Sequence, residues 1–545
     1  IRASRFLRIW VLGYFVIYSP VPLPYLRARN TMDDKTQPLI LTKIVATLGP
    51  ASADVGTMME MIEEGVRVFR INFSHGKLED FGGFLANVRE ASRRSGRYIG
   101  ALGDLSGPKL RVGQVIDGGV ELKAGDSILL TSDSVVAGES EGMPTFSVNN
   151  PELIDEVQVN ERVLIDDGAV ALKCVATAAD NNGLLKCDVL HGGLVTSAKG
   201  VNLPDTDLSL PSLTEWDHRC VDYAVEMGFD FLALSFVRSA ADVIQLKERL
   251  RELGARPQSK SAEESRTGQQ IASYGRGAES FIPIVAKIEK PQALEDLEAI
   301  VDETDVVMVA RGDLGVEMEP EEVPICQKKI IRSCHHHGKP VIVATQMLQS
   351  MIESPVPTRA ETSDVANAIF DGADAVMLSG ETAVGAYPVE SVRMMRRIAR
   401  RTNEFRRTEG MNFDAPKSPR QSRYRPAALA RGVKAIAQDL DARLIVMWSQ
   451  TGGGASYLSQ NKLALPIVAY SSSSEALRRL SVLYGVAPRF MKKPASTAEF
   501  IKEVDAILIE NQWAEKGDAI VVVLGEPIGM AGLTNKIRVH YVGDI

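Results

Sequence analysis

Lys287, Glu289 and Asp313 make up the most chemically loaded pattern in the chain. Lys287 and Glu289 stand two apart in an apolar run, so in a β-strand their side chains leave from one face. Asp313 follows Arg311-Gly312 at the end of the next such run. Two carboxylates at adjacent strand ends make a hard oxygen site for Mg2+ or Mn2+. A cation held beside them can neutralise charge on a phosphoryl group in transit. The same spacing also suits a structural salt bridge, and spacing alone leaves both open.

Arg70, Asn72 and Ser74 alternate along another run, and Asp104 ends the run after it. The Arg can hold a phosphate, and the Asn, Ser and Asp oxygens a cation; taken singly, each also serves in caps and turns. Thr345, beside Gln346, closes a later run, a place where a lone Thr is more often structural. His335-His336-His337 lacks partnering Cys/His spacing and predicts an exposed helix end rather than a zinc site. Thr451-Gly452-Gly453-Gly454 lies between a strand pattern and a helix pattern, which suits a phosphate cradle or a plain loop.

The elements that must position these residues repeat along the chain. Apolar runs at 43–49, 68–74, 99–105, 231–237, 283–289, 306–313, 341–347 and 375–381 alternate with helical stretches such as 241–253 and 321–337. They are rich in Val, Ile and Ala with little polar alternation, as parallel strands covered on both faces require. Eight runs with polar residues at their C-terminal ends predict a (β/α)8 TIM barrel. An open doubly wound sheet has the same periodicity, and the count favours the barrel.

Between 107 and 205 the rhythm changes to turn signals (Asp117-Gly118-Gly119, Asn182-Gly183, Gly192-Gly193) among β-prone pieces, predicting an inserted all-β lid. The barrel is therefore expected over 38–106 and 206–403, followed by a linker at 404–425. A C-terminal α/β domain is expected over 426–545, with strands at 443–449, 466–470 and 519–525. Residues 256–278 are polar, Gly-containing and poor in large apolar side chains, and predict a disordered insertion.

The bulk numbers exclude some classes. With 545 residues the chain is too long for one ordinary domain, and its net charge of −8 argues against a nucleic-acid surface. Five scattered cysteines without a CxxC pair suit a reducing cytosol. The apolar stretch 9–18 behind Arg2, Arg5 and Arg8 has the form of a signal-peptide core but is too short to span a bilayer. Residues 1–37 are read as a presequence or mistranslated extension outside the fold, which keeps organelle targeting open beside a cytoplasmic location; no membrane partner is expected.

RINFSHG (70–76), GPKLR (107–111), KGVNLP (199–204), KIEKP (287–291), MVARGDLGVE (308–317), ATQMLQSMIESPVPTRAE (344–361) and the stretch 363–390 resemble, in order, the signatures of pyruvate kinases. The resemblance implies transfer of the phosphoryl group of phosphoenolpyruvate to ADP, giving pyruvate and ATP, on a barrel with an inserted lid and an effector-binding C-terminal domain. It implies that Glu289 and Asp313 ligate Mg2+ or Mn2+ and that Lys287 stabilises the transferring group. Gly312 and Asp313 N–H groups with Thr345 would hold the substrate carboxylate. Arg70 and Arg111 would bind phosphates, with His75 and Lys199 near the nucleotide and Asp167 reaching its metal from the lid. Asn72, Ser74, Asp104 and Leu105 match the family's monovalent-cation site, and Thr345, Ser379 and Glu381 a proton relay.

Leu105 and Lys109 stand where potassium-dependent members carry Thr and Glu, so the chain resembles a potassium-independent subclass. The 450–456 segment resembles the effector loop only loosely. A homotetramer is implied by the family. The alternative is a catalytically inactive, metabolite-sensing homologue, which a pyruvate-formation assay separates. A divalent-metal aldolase or lyase barrel would require neither the lid nor Lys199.

Overall fold

A computed structural model describes residues 39–74, 76–138, 142–206, 209–255, 281–417, 424–530 and 533–544. The N-terminal extension 1–37, the insertion 256–278 and His75 lie outside the described residues.

Eight parallel strands close into a barrel: Lys43–Thr47, Val66–Asn72, Gly100–Asp104, Phe231–Leu234, Ile284–Ile288, Val306–Ala310, Val341–Ala344 and Ala375–Leu378. Each overlaps one of the eight predicted runs. The runs are continuously apolar because both faces are covered. Val45, Val68, Leu102, Val285, Met308 and Met377 fill the lumen, whereas Ile44, Phe69, Ile71, Ile284, Val307 and Val376 pack outward against the helices. Helices are started by side-chain caps, as in Thr214 accepting from the Asp217 N–H and Thr358 from the Glu361 N–H. The last barrel helix, Pro388–Thr408, runs into the stretch expected as linker, and the next helix begins at Tyr424 with Pro426 tolerated in its first turn.

The insertion after the third strand has its own core, from Leu110 through Leu210. It holds a six-stranded sheet and a two-stranded sheet. One short helix, Pro151–Glu156, is started by the Asn150 side chain and a proline at its first position.

The C-terminal unit carries a five-stranded sheet ordered Val486–Phe490, Ile467–Ser471, Ile445–Trp448, Ala519–Leu524, Lys536–Tyr541, the last strand antiparallel. The two outer strands were not expected. Val486–Phe490 contains Pro488 and Arg489, and Lys536–Tyr541 is charged and half exposed, the composition that edge strands tolerate. One face of this sheet continues the barrel's lumen: Met447, Leu458, Leu477, Leu480 and Val482 belong to the same packed cluster as the inward-facing barrel residues. The fit at the barrel's amino-terminal end is close, since a Cβ on Gly100 would lie 2.7 Å from Ser481 Oγ. Buried ion pairs fasten the contact, Asp230–Arg478 at 2.7 Å and Asp374–Lys462 at 2.6 Å.

The triple histidine is less exposed than predicted. His335 packs against Phe413 with ring centroids 5.5 Å apart, and burial lowers its pKa to about 4. His337 Nδ1 lies 3.0 Å from the Ser333 carbonyl oxygen, leaving His336 as the exposed member. The linker folds back over this helix end, a contact that the spacing of the histidines does not signal.

Candidate active site

The exits of barrel strands three, four and five meet around one ammonium. Lys287 Nζ lies 2.7 Å from Glu289 Oε1 and 3.3 Å from Asp104 Oδ1, and donates to Ser235 Oγ at 2.7 Å. All three ionic groups are buried: Lys287 is 9% exposed, Glu289 2% and Asp104 1%. Burial pushes the lysine pKa down, but the Asp104 and Glu289 carboxylates outweigh it and hold the ammonium above its ordinary value. For Asp104, burial pushes upward while Lys287 and Arg70 pull harder the other way, so its pKa is lowered. Glu289 ends up raised to about 7, chiefly by burial, with Lys287 opposing and Asp313 adding to the rise.

Arg70 reaches into the same cluster from the second strand, Nε to Asp104 Oδ2 at 2.6 Å and Nη1 to Thr47 Oγ1 at 3.1 Å. Asn72 and Ser74 are engaged with each other: the Ser74 N–H donates to Asn72 Oδ1 at 3.0 Å. The Leu105 carbonyl accepts from Ser235 Oγ at 2.6 Å.

Strands six and seven supply the next wall. Val306–Ala310 runs directly into the helix Arg311–Glu317, which puts Gly312 and Asp313 in its first turn. The Gly312 N–H donates to Thr345 Oγ1 at 2.6 Å. Thr345 and Gln346 both have left-handed backbones, with φ of 68° and 54°. Glu381 is fully buried; its carboxylate accepts from the Leu348 and Ser379 N–H groups at 3.0 and 2.7 Å. Ser379 Oγ is buried and makes no hydrogen bond among the described residues.

A cleft of about 390 Å3 opens above, between barrel and lid, lined by Lys109, Arg111, Asp167, Lys199, Lys290 and Asp313 among others. Lys199 Nζ is 2.8 Å from Asp166 Oδ1, and Arg111 Nη1 donates to the Ala198 carbonyl at 2.7 Å. Asp166 and Asp167 take left-handed φ values of 55° and 53° at the tip of the turn between two lid strands. Lys109 has no ion-pair partner within 4 Å among the described residues, and its pKa is lowered by burial first and by the Lys287 charge second. Among the described residues no group of three or more His, Cys, Asp and Glu side chains is placed to hold a metal. A two-carboxylate donor set fits Mg2+, which takes its remaining oxygens from substrate and water.

Among the described residues, Arg70, Asp104, Lys287 and Glu289 form one buried cluster, Lys109, Arg111, Asp167, Lys199 and Asp313 line the cleft beneath the lid, and Thr345, Ser379 and Glu381 lie at the exits of strands seven and eight. The effector-loop residues are elsewhere, in the C-terminal unit: Gly452, with φ of 91°, precedes the helix Gly453–Gln460, and Gly454 fits against Met447 and Thr534. Four further residues support the site. Ser235 was visible as the polar residue within the run 231–237. Arg311 was seen only as the neighbour of Gly312. Asp217, whose Oδ1 accepts from the Ser106 and Gly107 N–H groups at 2.9 and 3.3 Å, steadies the turn that leads into the lid. Glu317, buried between Lys290 at 2.7 Å and the lid residue Asn202 at 2.8 Å, depends on contacts far apart in the chain.

Profiles of two pyruvate kinase domains match this chain, the barrel domain over residues 40–268 and 261–392 and the alpha/beta domain over 427–540. A pyruvate kinase of Corynebacterium glutamicum is 41% identical over 504 residues, which covers 92% of this chain and 98% of that protein. One from Mycobacterium tuberculosis is 39% identical over 503 residues, with the same 92% and 98% coverage. The crystal structure of a pyruvate kinase from Cryptosporidium parvum superposes with a TM-score of 0.80 at 32% identity, covering 94% of this chain and 98% of that one.

Proposed function

We propose a role for each site residue from the premise that this chain belongs to the pyruvate kinase family and transfers the phosphoryl group of phosphoenolpyruvate to ADP, giving pyruvate and ATP. The observation that carries the assignment is the Lys287 ammonium, buried against Asp104, Glu289 and Ser235 at the exits of barrel strands three to five. In the reaction the P–O bond to the enol oxygen breaks and one to a β-phosphate oxygen of ADP forms. Negative charge spreads over the phosphoryl oxygens meanwhile, and a fixed ammonium stabilises it without reorganising.

Arg70 contacts the same phosphoryl group, its orientation fixed by Asp104. Thr345 and the N–H groups of Gly312 and Asp313 hold the carboxylate of phosphoenolpyruvate. Arg111 binds ADP phosphate, with His75 and Lys199 near the nucleotide, and Asp167 would approach the nucleotide's metal from the lid. Glu289 and Asp313 would hold Mg2+ or Mn2+, which supplies charge neutralisation between substrate phosphate and carboxylates. The enolate left behind takes a proton at carbon to become pyruvate. Ser379 Oγ, free of protein partners among the described residues, can hold a water in that relay with Thr345, and Glu381 fixes the turn beneath it.

Lys109 takes the place of the potassium ion. Its ammonium lies in the cleft, coupled to both Lys287 and Asp104, so a monovalent cation at Asn72, Ser74, Asp104 and Leu105 would meet a fixed positive charge. The loop at Thr451–Gly454 is the candidate effector contact, and the working assembly is a homotetramer. Among the described residues no helix is long and apolar enough to cross a membrane. Five unpaired, buried cysteines support a reducing, cytoplasmic location. A coupled assay of pyruvate formation with Glu289→Gln and Asp313→Asn tests the metal assignment. Both variants should need far more Mg2+ for half-maximal rate, and unchanged metal dependence would refute it.

A further inference from the structure

Two consecutive non-glycine residues with left-handed backbones, Thr345 and Gln346, end the seventh barrel strand. Such a pair costs on the order of 1–2 kcal/mol per residue and persists only where its surroundings hold it. One side chain supplies much of that hold. Arg311 Nη2 donates to the Thr345 carbonyl at 2.8 Å and Nε to the Ala344 carbonyl at 3.3 Å. Its Nη1 donates to Asp364 Oδ1 at 2.7 Å and to Gln327 Oε1 at 3.3 Å. The side chain is 10% exposed, so its bonds to the two carbonyls are made away from bulk water, whereas the Asp364 carboxylate is 36% exposed.

Arg311 also immediately precedes Gly312, whose N–H meets Thr345 Oγ1 at 2.6 Å. A single residue therefore links the exits of strands six and seven, by its backbone on one side and its guanidinium on the other. We infer that Arg311, anchored by Asp364, is a positioning residue that sets the Thr345 hydroxyl opposite the Gly312 and Asp313 N–H groups where the carboxylate of phosphoenolpyruvate docks. The inference rests on the role proposed above for Thr345. Lysine cannot replace the planar fork, because one ammonium does not reach two carbonyls and a carboxylate in fixed directions.

The test is a cycle of Arg311→Lys, Thr345→Ala and the double variant, with KM for phosphoenolpyruvate and for ADP measured separately. Arg311→Lys should raise KM for phosphoenolpyruvate about tenfold, the scale of one charge-assisted hydrogen bond, and leave KM for ADP within about twofold. In the Thr345→Ala background the Arg311→Lys change should add nothing further. Asp364→Ala, which leaves the guanidinium in place without its carboxylate partner, should shift the same constant in the same direction. It carries the test if Arg311→Lys does not fold. Effects that multiply independently, or that fall equally on both substrates, overturn the Arg311 inference while leaving Thr345's role intact. A Thr345→Ala variant with unchanged KM for phosphoenolpyruvate overturns both.

Discussion

Lys287 reaches past the fourth barrel strand to lie 3.3 Å from Asp104, a carboxylate already bound at 2.6 Å by Arg70 from the second strand. Three charges from three strands are thus locked in one buried cluster, with Glu289 as the fourth. Lys287→Met should lower kcat by about three orders of magnitude or more while substrate KM values change only a few-fold. Lys287→Arg should also be poor, since a planar fork does not fit a cage built for a compact ammonium. Near-normal turnover in a folded Lys287→Met enzyme would remove this residue from the mechanism.

Glu289 predicts how metal affinity follows pH. Its pKa is raised to about 7, so in the metal-free enzyme the carboxyl is protonated below that value and must lose a proton to ligate. Apparent affinity for Mg2+ should be flat above about pH 8 and fall by up to about tenfold per pH unit below 7. Titration of Mn2+ binding by electron paramagnetic resonance across pH 5.5–8.5, roughly the range spanning that pKa, reads this directly. An affinity independent of pH would show that Glu289 is ionised without metal.

Potassium supplies a third test. The enzyme should be substantially active with Mg2+ in buffer whose only monovalent cation is bulky and organic. Lys109→Glu should lower that basal rate and make it respond to added potassium, because it removes a positive charge and restores a carboxylate. A parent enzyme that is nearly inert without potassium, rising tens-fold on its addition, would contradict the tethered-cation role.

His335 sets an acid limit on stability. Burial lowers its pKa to about 4 from an ordinary 6.5, so the unfolded chain binds the proton more readily than the folded one. Stability is unaffected above about pH 6.5 and falls as pH drops toward 4, by roughly 3 kcal/mol at most. His335→Leu should flatten that limb in denaturant titrations at pH 7 and pH 4.5, about the ends of the window. An unchanged pH slope would assign the acid sensitivity to other groups.

Much of this architecture was legible because parallel barrel strands are buried on both faces. The run 306–313 carries its strand as unbroken apolar sequence and its chemistry, Gly312 and Asp313, as the polar tail. Lys287 and Glu289 were legible for the same reason, as charges in a setting where charge is costly. Arg311 and Glu317 were not, because their importance lies in partners such as Asp364 and Asn202, far away in sequence. The edge strands of the C-terminal sheet escaped notice since Lys536–Tyr541 is half exposed and Val486–Phe490 is interrupted by Pro488 and Arg489, so neither carries an unbroken apolar run. The helical tail to Thr408 was hidden by its charge, which reads as linker unless the packing of Thr402, Asn403 and Arg406 is known.

The C-terminal sheet forms the floor of the barrel, and genetic excision is where that matters most. A fragment ending near residue 410 would keep every nominated catalytic side chain yet leave Val45, Val68, Leu102 and their lumen neighbours open to water from below. It would also take Arg478 from Asp230, which keeps Arg89 at 2.7 Å, and Lys462 from the fully buried carboxylate of Asp374. The catalytic and C-terminal parts are therefore not interchangeable cassettes. A chimera that swaps the C-terminal part must carry over the residues of the floor along with it, or the barrel it is joined to will lack its base.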